Sequence, residues 1–148
     1  MHAFPTQFGT GNKWHGESVR GVFGGSGYNS DFGMLVYYRY TTRRWIKADA
    51  TAVGATSTSL LGICLTTNSV EGEAITVLLH GFYGTQDGEW TTSLTNEGEP
   101  LYIDTTAGYV TSTAPGSSGN VVRIIGHTYT VSDPWVVRFN PDNFWLVI

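Results

Sequence analysis

The residues of this chain that could do chemistry are few, and their spacing does not assemble a recognisable catalytic site. None of the four histidines, His2, His15, His80 and His127, has a second histidine or cysteine at the spacing of a zinc site. The single cysteine, Cys64, lies among apolar residues, which predicts a buried thiol that behaves as a small hydrophobe. We therefore predict no catalytic residue, no metal and no cofactor.

An acid-Gly-Glu pattern recurs at 71–73, 87–89 and 97–99. Paired carboxylates could serve glycoside hydrolysis or bind Ca²⁺, but the ligand spacing of a calcium loop is missing. A glycine between two acidic residues is also typical of a tight turn, and we predict turns at all three places. The sequence contains no nucleophile elbow, phosphate-binding loop or dinucleotide fingerprint.

The composition excludes several classes of protein. Only 14% of the 148 residues are charged, against about 25% in an average soluble protein. The net charge of −4 argues against nucleic-acid binding, which usually needs a basic stripe. No apolar run approaches the roughly 18 residues of a membrane span. The first residues lack the basic-then-apolar pattern of a secretion signal, so we expect synthesis in the cytoplasm without export.

The elements that would position any site are strands. Aromatic residues make up 14% of the chain, threonines occur in doublets, and short turns rich in Gly, Asn and Asp separate the apolar stretches. This pattern predicts an all-β fold, a small antiparallel β-barrel or β-tulip-like domain over 34–148. The predicted strands are 34–40, 44–48, 59–66, 73–80, 100–104, 108–112, 120–130, 134–139 and 143–148.

A weak internal sequence repeat has two readings: the domain is a duplicated half-barrel, or common β-hairpin sequences give the same pattern twice. At an offset of 64 residues, 40–47 aligns with 104–111, and the Gly-interrupted run 60–63 aligns with 124–127. With one residue of slippage, 33–37 aligns with 98–102. A glycine within a strand marks a bulge, a bend or a close backbone approach, so bends at matching places would let two halves curl onto each other.

Residues 1–33 differ from the rest, because glycines alternate with isolated aromatic rings and only 18–23 reads as a short strand. Two readings are open: an extended N-terminal arm that lies on a partner and anchors through its rings, or a meander packed on its own domain. On the first reading, this arm is a segment separate from the 34–148 domain. The predicted partner-contact residues, on a partner protein or a neighbouring subunit, are Phe4, Phe8, Trp14, Phe23 and Tyr28.

Apolar side chains beyond the predicted core also suggest subunit contacts. Tyr37 and Tyr38 must point to opposite faces of a strand, so one of the two faces is not core. The unbroken apolar run 144–148 must pair either in the barrel or with a neighbouring subunit. We expect the low charge to reflect surface that neighbours cover.

Three stretches of the second half resemble a module near the C-termini of tailed-phage structural proteins, described as head-fibre, capsid-decoration, auxiliary capsid or tail-fibre proteins. They are 98–108, the run Thr113-Ala-Pro-Gly-Ser-Ser-Gly-Asn-Val-Val-Arg-Ile-Ile-Gly126, and Phe139-Asn-Pro-Asp-Asn-Phe-Trp145. The resemblance implies a β-barrel, often trimeric, that docks on the capsid and carries no catalytic residues. The Gly- and aromatic-rich segment 1–33 departs from the family pattern.

The expectation is therefore a non-enzymatic virion protein that decorates or cements the capsid exterior, with the major capsid protein and neighbouring virion proteins as partners and a homotrimer as the assembly. Two alternatives stay open. One is a tail, baseplate or fibre component, including an adaptor for other fibre chains. The other, from a different class, is a carbohydrate-binding β-module that uses exposed Trp and Tyr rings.

Overall fold

All regular structure in the described part of this chain is β-strand, which confirms the all-β prediction. The computed structural model describes residues 13–25, 29–51, 58–85, 91–92, 94, 96–131 and 135–148. The described residues form no helix, and therefore no membrane-spanning helix is found among them. The strands are β1 Lys13–Val22, β2 Leu35–Arg39, β3 Arg44–Lys47, β4 Leu61–Cys64, β5 Ala74–Thr85, β6 Thr91–Thr92, β7 Pro100–Ile103, β8 Val110–Thr111, β9 Val121–Val122, β10 Ile124–Thr130, β11 Trp135–Phe139 and β12 Leu146–Val147.

Each of the nine predicted strands contains or overlaps an observed one, while β1 and β6 were not predicted as separate strands of these lengths. Strand β1 has ten residues and is longer than the predicted strand at 18–23. The prediction was short because glycines and charged residues interrupt the apolar side-chain pattern of β1. It pairs along β5 from Lys13–Gly84 to Val22–Ala74. Ladder hydrogen bonds use backbone groups, so a strand at this position needs little apolar alternation.

The strand order repeats in two halves, as the internal alignment predicts. The large sheet runs β3-β2-β4-β5-β11-β10-β7-β8-β6. The segments that align at an offset of about 64 residues, β3 with β8, β2 with β7 and β4 with β10, occupy equivalent places on either side of the β5–β11 pair. Gly62 and Gly126, which also align, both sit where a neighbouring strand approaches too closely for a side chain.

The sheet curls until hairpins from its opposite ends meet, which gives the domain its barrel-like form. The Leu35 N–H donates to the Gly108 carbonyl at 2.9 Å, and the Gly108 N–H donates to the Ala48 carbonyl at 2.8 Å. A third backbone bond, from Ala50 to Asp104, is 2.9 Å long. These bonds satisfy backbone groups that a flat sheet would leave exposed at its edges. The first core, enclosed by both halves, consists of Phe32, Leu35, Tyr37, Ala48, Ala50, Leu61, Ile63, Leu78, Tyr83, Leu101, Ile103, Val110, Ile125, Val137 and Phe139.

Strand β5 joins the two halves of the sheet because it pairs with strands of both. Its Leu78 pairs with both β1 and β4, and its Tyr83 pairs with both β1 and β11. Since a strand has only two edges, β1 follows one edge of β5 while β4 and β11 take consecutive stretches of the other. The change of partner lies between Leu78 and Gly81, opposite a register shift between Glu17 and Ser18.

A second core lies on the other face of the first half, and the predicted arm helps to build it. Phe23 forms a bridge to Trp45, and the Gly24 N–H donates to the Trp45 carbonyl at 2.9 Å. As a result β2 is buried on both faces, with Leu35 in the first core and Val36 in the second. The second core comprises Phe23, Met34, Val36, Trp45, Cys64, Ile75 and Val77.

The predicted boundary at residue 33 therefore differs from the structure. Residues 13–23, predicted as part of a separate arm, are an integral strand and a core contact of the domain. The physical reason is that β5 offers a complete backbone edge and the second core offers a place for one aromatic ring. Residues 1–12 and 26–28 of the predicted arm lie outside the described residues.

Candidate functional site

The five predicted contact residues fall into three groups. Phe4, Phe8 and Tyr28 lie outside the described residues, so their assignment stays a prediction. Trp14 lies on β1 with 42% of its surface exposed, which leaves part of its ring accessible. Phe23 is 0% exposed, and its assignment to a partner contact is wrong in this structure because the ring fills the second core.

The aromatic face that we expected neighbours to cover is largely covered by the chain itself. Tyr37 is buried in the first core, whereas Tyr38 packs against Trp45 at the second core with ring centroids 5.3 Å apart. The two rings do point to opposite faces, as the strand geometry requires. The second core supplies the partner for the other face, so part of the low charge reflects a second apolar interior.

The largest run of exposed apolar side chains among the described residues is 144–148, which we call the 144–148 segment. Phe144 is 85% exposed, and the four residues after it are also exposed. Its strand β12 pairs with β9 in a separate two-stranded sheet. The Ile148 N–H donates to the Asn120 carbonyl at 3.0 Å, and the Gly119 N–H donates to the Ile148 carbonyl at 2.7 Å. The backbone is thus tied to its own chain while the side chains face outward.

Arg123 lies next to the 144–148 segment and contacts it through the Trp145 ring. Its Nε donates to the Asp142 carbonyl and its Nη1 to the Ser59 carbonyl, each at 2.8 Å. Its guanidinium also lies 5.3 Å from the centre of the Trp145 ring, within the range of a cation–π interaction. Burial lowers the pKa of Arg123, and the charge of Asp142 acts in the opposite direction. One buried cation therefore joins β9–β10, the 140–145 loop and the residues before β4.

Beside the 144–148 segment is an apolar groove of about 350 Å³. Val122, Ile124 and Leu146 supply aliphatic side chains, and aromatic rings flank them. Aromatic residues are enriched at protein–protein contacts, where they become buried against the partner. The full lining is Tyr102, Val122, Ile124, Asp142, Phe144, Trp145 and Leu146.

A second concavity lies where the two halves of the domain meet, and we call it the Glu17–His80 cavity. The Glu17 carboxylate and the His80 Nε2 are 3.1 Å apart across the β1–β5 ladder. The cavity has a volume of about 320 Å³. It is lined by Glu17, Leu60, Leu61, Leu79, His80, Arg123, Asn140, Pro141 and Asn143.

The described residues do not assemble a metal site or an activated cysteine. They contain no group of three or more His, Cys, Asp or Glu side chains that could hold a metal. Burial raises the pKa of Cys64 to about 11, and its Sγ donates to the Thr66 carbonyl at 3.3 Å. The thiol is therefore protonated at neutral pH, which agrees with the predicted hydrophobic role.

The acidic turns behave as predicted where the structure describes them. Gly72 and Gly98 have φ angles of +89° and +74°, which an L side chain rarely adopts. The third turn, 87–89, lies outside the described residues. Turn geometry is thus sufficient to explain the glycines at 72 and 98.

Arg123 and the 140–143 loop are the functional candidates that sequence reasoning missed. The signal for Arg123 was a single cation inside the apolar run 121–125, because a charge in a buried strand needs specific partners. The partners themselves are carbonyl groups of Asp142 and Ser59, which the sequence pattern does not reveal.

Compared with models of known protein families and with curated protein sequences, the chain matches none of either.

Proposed function

We propose that this chain is a non-enzymatic structural protein of a tailed-bacteriophage virion, which decorates or cements the outer surface of the capsid. The first support is the sequence resemblance over 98–145. Two of its motifs converge in the structure: the run 113–126 contains β9, which pairs with β12, and the run 139–145 leads into β12 and supplies Trp145. The resembling residues thus build the surface that carries the exposed apolar segment.

The single observation that carries the proposal is the exposure of the 144–148 segment. Isolated exposed apolar residues are ordinary, but a contiguous group beside an apolar groove is typical of a protein-contact site. Burying one large apolar side chain contributes about 1.5–3 kcal/mol before the costs of association. Phe144 and Leu146 are therefore the anchors that we assign to the contact, together with Trp14, which the sequence pattern also indicates.

The proposed partners are the major capsid protein and neighbouring virion proteins. We favour a homotrimer, because three copies bound at a local threefold position would multiply weak contacts by avidity. The arm residues Phe4, Phe8 and Tyr28 stay proposed capsid contacts. The proposed location is the virion, on the capsid rather than the tail.

The test is binding of the purified protein to phage heads assembled without it, measured by co-sedimentation. Wild-type protein should bind saturably, and Phe144→Ser with Leu146→Ser should weaken binding by at least about tenfold, from the apolar burial that is lost. A matched control is Tyr40→Ser, because Tyr40 is 79% exposed in the turn after β2, and this variant should bind like wild type.

Two results would contradict the proposal. If the protein is found only in purified tails, the tail, baseplate or fibre alternative replaces capsid decoration. If the double variant binds heads as tightly as the Tyr40 control, the 144–148 segment is not the contact surface. Unfolding curves of each variant establish that a loss of binding is not a loss of fold.

A further inference from the structure

The Glu17–His80 cavity lies at the junction of the two halves, where a pocket can draw residues from both. Glu17 comes from β1 and His80 from β5, at the point where β5 changes partner from β4 to β11. Arg123 and Asn140 come from the second half. A volume of about 320 Å³ is at the lower end of ligand pockets, which span about 300–1,000 Å³. The cavity therefore suits a compact ligand of about one ring.

The polar groups around the cavity have mixed hydrogen-bonding character. An ionised carboxylate such as Glu17 only accepts hydrogen bonds, and a guanidinium such as Arg123 only donates them. The carboxamides of Asn140 and Asn143 do both. A ligand that satisfies such a set needs several groups that are each donor and acceptor, as hydroxyls are.

The cavity is lined by one charged group of each sign, so its lining as a whole favours neither an anion nor a cation. An anion would meet the Glu17 carboxylate, and a cation would meet the Arg123 guanidinium. The apolar lining adds a second requirement, because Leu60, Leu79 and Pro141 offer aliphatic surface to a ligand. Leu60 is 57% exposed, so this surface is accessible from solvent.

One of the polar groups, the Arg123 guanidinium, is held in place before any ligand arrives. Two carbonyl groups at 2.8 Å orient the buried Arg123, whereas the 3.1 Å contact between Glu17 and His80 joins two exposed side chains. Side chains positioned in advance lose less entropy when a ligand binds.

We propose that the Glu17–His80 cavity binds a neutral polyhydroxylated ligand of the sugar class, with Glu17, Asn140 and Asn143 engaging hydroxyl groups and Leu60 and Pro141 contacting a C–H face. This site is distinct from the carbohydrate-binding alternative that uses exposed Trp and Tyr rings, since no Trp or Tyr among the described residues lines the cavity. It is also independent of the proposed capsid role, which rests on the 144–148 segment.

The experiment is a two-dimensional NMR titration of the full chain with glucose, galactose, mannose, rhamnose and N-acetylglucosamine, each taken into the roughly millimolar range where a one-ring ligand binds. Inorganic phosphate serves as an anionic comparison. At least one sugar should give saturable shifts confined to residues that line the cavity. Glu17→Gln, which keeps the shape and removes the charge, should weaken that binding by at least about tenfold. Glu97→Gln, the same substitution on an exposed turn outside the cavity, should leave it unchanged.

Three outcomes would overturn the proposal. They are the absence of saturable shifts with every sugar, shifts centred elsewhere such as on the Phe82–Tyr129 ring pair, or phosphate binding in the cavity in preference to sugar. Head binding by the same protein preparation separates this failure from a failure of the capsid proposal.

Discussion

Replacing Gly81 with alanine should destabilise the domain more than any other glycine substitution in a matched series. Gly81 has a φ angle of +142°, and a Cβ placed there would lie 2.2 Å from the His15 carbonyl oxygen and 2.7 Å from the Gly16 Cα. Both obstacles are backbone atoms of β1, so neither can move aside by rotating a side chain. The position also lies where β5 passes from one half of the domain to the other.

The magnitude follows from two separate costs. Holding a non-glycine residue in such a backbone conformation costs about 1–3 kcal/mol. Relieving the clash moves β1 away from β5 and weakens one or two ladder hydrogen bonds, at about 0.5–1.5 kcal/mol each. Together these predict a loss of about 3 kcal/mol for Gly81→Ala, a large part of the roughly 5–15 kcal/mol that stabilises an ordinary domain.

Three control variants separate the two costs. Gly126→Ala tests the clash alone, because its Cβ would lie 2.1 Å from the Arg138 carbonyl oxygen without a positive φ. Gly72→Ala tests the backbone conformation alone, since φ is +89° and no atom lies within 4 Å. Gly116→Ala has neither problem and should be neutral or slightly stabilising.

The assay is urea unfolding followed by tryptophan fluorescence, with the free energy of unfolding extrapolated to water. The free energy of unfolding should fall most for Gly81→Ala and by intermediate amounts for Gly126→Ala and Gly72→Ala. It should not fall for Gly116→Ala. If the free energies of unfolding of Gly81→Ala and Gly116→Ala differed by less than about 0.5 kcal/mol, the size of an ordinary surface effect, the close approach of β1 to β5 would be refuted.

The remaining predictions concern single buried side chains. Phe23→Ala should cost about 3–5 kcal/mol in the same urea assay, because it empties a site in the second core, whereas a capsid-contact ring would cost almost nothing. Tyr83→Phe should leave the free energy of unfolding unchanged or raise it by about 1 kcal/mol, since the buried Tyr83 hydroxyl has no hydrogen-bond partner among the described residues. The free energy of unfolding should fall as pH rises from 9 towards 11, because burial raises the pKa of Cys64 from 9.0 to about 11 and the unfolded thiol therefore loses its proton first. Comparing the same pH series for Cys64→Ala isolates this contribution, and equal slopes for the two proteins would contradict it.

Much of the fold could be predicted because strand and turn chemistry is local. Threonine and aromatic runs between glycine-containing turns located the strands of the 34–148 region, and the offset of about 64 residues anticipated the repeated strand order. The matching glycines at 62 and 126 were predicted to mark a close approach or bend, and a neighbouring strand does crowd both positions.

Pairing across long distances could not be predicted in the same way. Strand β1 has ten residues that are mostly exposed, so its side chains carry almost no periodic signal. Its place is set by the free edge of β5, about sixty residues later in the chain, through backbone groups that every residue possesses. For the same reason Phe23 looked like an anchor for a partner, although the bridge to Trp45 carries it into the second core.

The same contrast between local sequence signals and long-range pairing applies to the candidate sites. The apolar character of the 144–148 segment was evident from its residues, because hydrophobicity is a property of side-chain type. Whether those side chains face the interior or solvent depended on β12 pairing with β9 outside the main sheet. The Glu17–His80 cavity carried no sequence signal, since its polar groups are separated by up to 126 residues and meet only when the two halves close. Sequence alone determined the strands, turns and apolar content of this protein; tertiary structure decided which apolar surfaces the chain covers for itself and which polar groups face one another, because both depend on contacts between residues far apart in the chain.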